Sequence, residues 1–175
     1  MIEAIQTRYA GYHFRSRLEA RWAVWFTALG IPWEYEREGY ALPSGPYLPD
    51  FWISNPMPQW PEAGYWLDIK PANLPNDSEA FAKIADLTMA TKHTGYIVAG
   101  DPGNFRTASF NFNTRKWTFA TKNDLRDYSP SNRPLWFASL FAHSLTHEMK
   151  PNILEAITAA RSARFEHGET PRRHT

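Results

Sequence analysis

The segment Tyr65-Trp66-Leu67-Asp68-Ile69-Lys70, closed by Pro71, constrains the fold more than any other part of this chain. It predicts a strand, and strand side chains repeat every two residues, so Asp68 and Lys70 share one face. A second stretch, Tyr47–Ile53, also reads as a strand and carries Pro49-Asp50. Its proline predicts an edge position or a bulge, where one missing donor is tolerated. Laid side by side, the two strands bring Asp50 next to Asp68. Further upstream, Glu19 lies in a helix-patterned stretch. Carboxylates gathered beside a lysine suit a divalent cation and a water to be activated, which predicts metal-dependent phosphodiester hydrolysis.

The flanking pattern predicts the elements that carry these residues. Leu18, Trp22, Trp25 or Phe26, and Leu29 recur at helical spacing over Ser16–Leu29, and Gly30-Ile31-Pro32 ends that helix. Glu19 has two readings. It stands three residues after Ser16, as in a capping box. It also shares a face with Trp22, Ala23 and Phe26, and a carboxylate beside buried aromatics needs a partner, because an unpaired buried charge costs several kcal/mol. Trp33-Glu34-Tyr35-Glu36 predicts the first strand, and Pro43-Ser44-Gly45 a turn. Residues 54–64 hold Pro56, Pro58 and Pro61 and predict a long loop. Asp77–His93 predicts a second helix, capped by Asp77 or Ser78, with Phe81, Ile84, Ala85 and Leu87 or Thr88 facing inward. Tyr96–Ala99 follows as a short apolar strand. A helix between two strands of one sheet predicts a crossover, hence an α/β fold with a mixed sheet. Beyond it, Phe105–Ala120 predicts a hairpin around Asn113-Thr114-Arg115, with helices over Pro134–Met149 and Asn152–Phe165.

Glu19 on a first helix, Pro49-Asp50 on a strand and Asp68-Ile69-Lys70 on the next resemble the PD-(D/E)xK nuclease superfamily. The resemblance covers about residues 16–100. The stretch from Arg8 to Lys70 is also similar to small nuclease-like proteins of actinobacteria and their phages, and more loosely to transposon-end endonucleases. It implies a restriction-endonuclease-like core, a mixed sheet flanked by helices in the order αβββαβ; beyond that core the sequence pattern adds a β-hairpin and C-terminal helices. The expected organisation is one nuclease-like domain over residues 1–168, elaborated over 105–167, with a disordered tail over 169–175. The resemblance further implies Mg²⁺ or Mn²⁺ held by Asp50, Asp68 and the backbone carbonyl of Ile69, with Glu19 reaching the ion directly or through water. Lys70 is implied beside the attacking water. The implied activity is that of a DNA endonuclease leaving a 5′-phosphate and a 3′-hydroxyl. The alternative is a nuclease-fold phage or mobile-element protein that binds DNA or a protein partner, or that cuts only within a recombination complex. Pro71 departs from the glycine that often follows the lysine in related proteins.

Composition restricts the remaining choices. The 175 residues are 43% hydrophobic and 21% charged, ordinary for a globular chain long enough to bury a core. The absence of cysteine removes disulfides, thiolate chemistry and cysteine-ligated zinc. No apolar run approaches the roughly 18–20 residues needed to cross a bilayer, and the N-terminus lacks a signal-peptide pattern, so a cytoplasmic protein of a bacterium or phage-infected cell is expected. A net charge of +1 identifies no partner. Local clusters are more telling. Arg15, Arg17 and Arg21 flank Glu19 and are candidates to position a DNA backbone. Trp60, in the proline-rich loop, is a candidate stacking contact. A homodimer would serve to cut both strands of a duplex, and the aromatic stripe over Leu135–Leu145 reads equally as its contact or as a cover closing the core over the added hairpin. His13 reads as a packing residue or a phosphate contact. His143 and His147 share a helix face with Glu148 adjacent, but no third ligand is evident. Gly100-Asp101-Pro102-Gly103 lacks the lysine of a phosphate loop and predicts a turn.

Overall fold

The computed structural model describes residues 7–54, 64–121 and 150–165. Their centre is a six-stranded mixed sheet flanked by helices, an α/β architecture. Its strands are β3 (Trp33–Tyr35), β6 (Phe51–Ser54), β7 (Gly64–Lys70), β8 (Gly95–Asp101), β9 (Asn104–Asn111) and β10 (Lys116–Thr121). Their order across the sheet is β10-β9-β8-β7-β6-β3. Only β7 and β8 run parallel; the other neighbours are antiparallel. A parallel pair needs a crossover, and helix α2 (Glu79–Thr91) supplies it.

Helix α1 (Arg17–Ala28) begins where its cap dictates. Ser16 is extended, at φ −140°, and its hydroxyl accepts the Glu19 N–H. The apolar spacing then buries Trp22, Ala23 and Phe26 against one sheet face, with Phe51, Ile53, Leu67, Ile69, Tyr96 and Val98 beneath. Full burial of each large side chain contributes roughly 1.5–3 kcal/mol. Helix α3 (Lys150–Ser162) packs against α1 and adds Ala156 and Ala160 to this layer. The Trp22 indole donates to the Gly100 carbonyl at 2.9 Å, tying α1 to the end of β8.

The opposite face is covered by α2, whose Ala80, Ile84 and Leu87 meet Trp52, Trp66, Ile97 and Ala108. A short hairpin of β4 (Tyr40–Leu42) and β5 (Gly45–Tyr47) joins this layer through Tyr40, Leu42 and Tyr47. Another hairpin, β1 (Thr7–Tyr9) with β2 (Tyr12–Phe14), precedes α1. It turns through Ala10 and Gly11, both at positive φ.

Two expectations need correction. The segment Tyr47–Ile53 is not one strand, and β6 is not at an edge. Tyr47 closes β5, Pro49 and Asp50 lie between elements, and β6 starts at Phe51 inside the sheet, between β3 and β7. Proline has no N–H for a ladder, so one strand ends before it and another starts after it. The hairpin expected over Phe105–Ala120 is present as β9 and β10, which also extend the main sheet. The segment expected to form the Pro134–Met149 helix lies outside the described residues, as do Trp60, the 169–175 tail and most of the 54–64 loop. No helix among the described residues is long and apolar enough to cross a membrane.

Candidate active site

The pairing of β6 with β7 builds this site. Phe51 stands opposite Leu67, so one further step of the antiparallel register sets Asp50 opposite Asp68. On β7 the alternation places Trp66, Asp68 and Lys70 on the face that α2 covers. There the apolar layer gives way to a cleft of about 850 Å³, lined in part by Arg15, Glu19, Tyr47, Asp50, Asp68 and Lys70. Hairpin β4–β5 and the first turn of α2 also contribute to its wall.

The carboxylates lie on the buried floor. Asp68 is 1% exposed, Asp50 3% and Glu19 8%. Asp50 Oδ2 accepts the Ile69 N–H at 2.7 Å, and Asp50 Oδ1 lies 3.4 Å from Arg15 Nη2. Lys70 Nζ donates to Asp68 Oδ1 at 2.7 Å. Asp68 Oδ2 is buried with no hydrogen-bond partner among the described residues. Glu19 Oε1 accepts from the Ser16 hydroxyl at 2.7 Å and Oε2 from the Tyr35 hydroxyl at 2.6 Å. The two readings of Glu19 therefore coexist: its backbone N–H meets the cap, and its carboxylate lines the cleft.

These neighbours shift the titrations. Burial, then the facing Asp68 charge, raises the Asp50 carboxyl well above the ordinary range; Lys70 and the Ile69 N–H only partly offset them. Burial works to lower the Lys70 ammonium, but Asp68, Asp50 and Glu19 together lift it above its ordinary value, so it stays charged. The Tyr35 phenol is pushed up by burial and by its bond to Glu19. Two carboxylates that repel each other, one with an unbonded oxygen, form a donor set of the kind a hard divalent cation takes. Among the described residues no three His, Asp or Glu side chains group closely enough to hold a metal by themselves. Magnesium commonly takes one or two carboxylates and keeps several waters, so the Asp50–Asp68 pair is a fitting set.

The arginines divide. The Arg15 side chain, 57% exposed, stands at the cleft and is ion-paired to Glu36 at 2.5 Å. Arg17 is exposed in the first turn of α1, and Arg21 pairs with Asp101 at 2.9 Å at the end of β8; neither lines the cleft. His13 is exposed on β2, opposite Arg8. His143, His147 and Glu148 lie outside the described residues. Tyr47 and Lys83, which line the cleft, and Tyr35, which bonds the cleft residue Glu19, were not among the expected site residues. Tyr47 was the findable one, because Tyr40 and Tyr47 stand three residues either side of Pro43-Ser44, as a cross-strand pair does. No protein-family model and no curated protein sequence matches this chain.

Proposed function

We propose that the chain is a metal-dependent nuclease of the PD-(D/E)xK type, with a restriction-endonuclease-like core, acting on the phosphodiester backbone of DNA. The observation that carries this reading is the Asp50–Asp68 pair, with Lys70 bonded to Asp68, on the floor of an open cleft. A purely structural protein gains nothing from two facing buried carboxylates, because their repulsion opposes folding. The order α1, β3, β6, β7, α2, β8 supports the same reading.

Asp50, Asp68 and the Ile69 carbonyl would hold Mg²⁺ or Mn²⁺. Such an ion lowers the pKa of a water and offsets charge on phosphoryl oxygens. The protein groups do the positioning. Lys70, held by Asp68 and fully charged, orients the attacking water and donates to a phosphate oxygen. Glu19, whose two oxygens already accept from the Ser16 and Tyr35 hydroxyls, would reach the ion directly or through water. Arg15, on the cleft wall, holds a neighbouring phosphate as a charge-assisted donor. In the reaction water adds to phosphorus, the bond to the 3′ oxygen breaks, and that oxygen takes up a proton. The products are a 5′-phosphate and a 3′-hydroxyl.

The test is cleavage of supercoiled plasmid, linear duplex and single-stranded DNA with Mg²⁺ or Mn²⁺, with an EDTA control. Asp68→Ala and Lys70→Ala are expected to lower the rate by about 10²–10³-fold while remaining folded. A folded wild type that binds Mn²⁺ yet cuts none of these substrates would instead favour a DNA- or protein-binding role on the same fold.

A further inference from the structure

Tyr47 closes β5 and lies beside the carboxylates without a bond to account for it. Its hydroxyl is fully buried and has no hydrogen-bond partner among the described residues. Asp68 Oδ2 is in the same condition. Both residues line the same cleft, and the hairpin pairs Tyr47 with Tyr40, which sets the phenol at the sheet face that carries Asp68. A buried hydroxyl left unbonded opposes folding, and phenylalanine would fill the same space without that cost. Burial first, then the charges of Asp68 and Asp50, pushes the phenol far above its ordinary range. A phenol is a hydrogen-bond donor, and Asp68 is the strongest charge acting on this one.

We propose that Tyr47 is a positioning residue for Asp68: its hydroxyl supports the carboxylate from behind, at Oδ2, and fixes the plane in which Asp68 presents itself to a divalent cation. This rests on the metal-site reading above. Asp68 acts on the phenol both as a charge and at hydrogen-bonding reach, so the two groups stand close enough to interact. Binding a cation in the cleft gives that contact a purpose, because a ligating carboxylate is normally held by an outer hydrogen bond. Lys70 already holds Oδ1, so Tyr47 supplies the second restraint. The hairpin thus contributes to the site although it lies outside the main sheet.

The experiment compares wild type with Tyr47→Phe by Mn²⁺ titration calorimetry, by melting temperature without metal, and by plasmid cleavage. The expected result is a 10–100-fold loss of Mn²⁺ affinity. The metal-free melting temperature should be unchanged or raised, and cleavage should recover at high Mn²⁺. Equal Mn²⁺ affinity in the two proteins overturns the assignment of Tyr47 alone. So does a loss of affinity matched by a fall in metal-free melting temperature, which is what a packing role produces. A folded wild type that binds no Mn²⁺ overturns the metal site itself, and the Tyr47 assignment with it.

Discussion

Asp50 shows how a single side chain can set stability against function. Its carboxyl is raised above the ordinary value of 3.8, so the folded state holds the proton more tightly than the unfolded chain does. The sign follows by linkage. This group's contribution is fully present below the ordinary range and is lost as pH rises through the raised folded value. Asp50→Asn is neutral throughout and keeps an acceptor for the Ile69 N–H. Without metal, it is expected to melt about 2–4 °C above wild type at neutral pH, a difference of about 1 kcal/mol. That gap should close as pH falls into the ordinary carboxylate range, and differential scanning calorimetry across pH reads it directly. Ser16 offers a second case. Its hydroxyl accepts the Glu19 N–H and donates to the Glu19 carboxylate. Ser16→Ala should lower stability by about 1 kcal/mol and, because Glu19 is then held by Tyr35 alone, should also slow cleavage.

At the scale of elements, the chain is most readable where periodicity and punctuation agree. Helix α1 was expected over Ser16–Leu29; its helical residues are Arg17–Ala28, with Ser16 and Leu29 as caps. Asp68 and Lys70 were readable for the same reason, since period two along β7 puts both on one face. The three-residue strands β1, β2, β4 and β5 are too short to show a period, and their hairpins stayed hidden. Tyr35 was missed because its partner, Glu19, lies far along the chain; at Tyr47 the turn pattern held the pairing with Tyr40 but not the approach to Asp68, which no local pattern contains. Gly64 is another long-range dependence. A Cβ built there would lie 2.1 Å from the Trp52 indole, whose ring centroid is 4.5 Å from that of Trp66. Gly64→Ala therefore has to displace Trp52 and should cost about 1–3 kcal/mol, seen as a lower urea midpoint.

For the molecule as a whole, the cleft joins parts that chain order keeps apart: α1, the approach to β6, β7, hairpin β4–β5 and the start of α2. A cation bound by Asp50 and Asp68 would therefore stabilise the entire fold, not one loop. At 100 times its dissociation constant a bound ligand adds about 2.7 kcal/mol. For a chain of this size that is about 5–10 °C of melting temperature, which EDTA should reverse. An unchanged melting temperature over millimolar Mn²⁺ would count against the site. The position of the carboxylates also bears on time. They face each other one step beyond the last paired rung of β6–β7, at the end remote from Ser54 and Gly64. If that ladder closes from the Ser54 end, the repulsive step comes last, after the barrier to folding has been crossed. Interactions made after the barrier govern the escape rate and leave the rate of arrival nearly untouched. A divalent cation at this site would then act as a latch: it would lengthen the lifetime of the folded chain without hastening its formation.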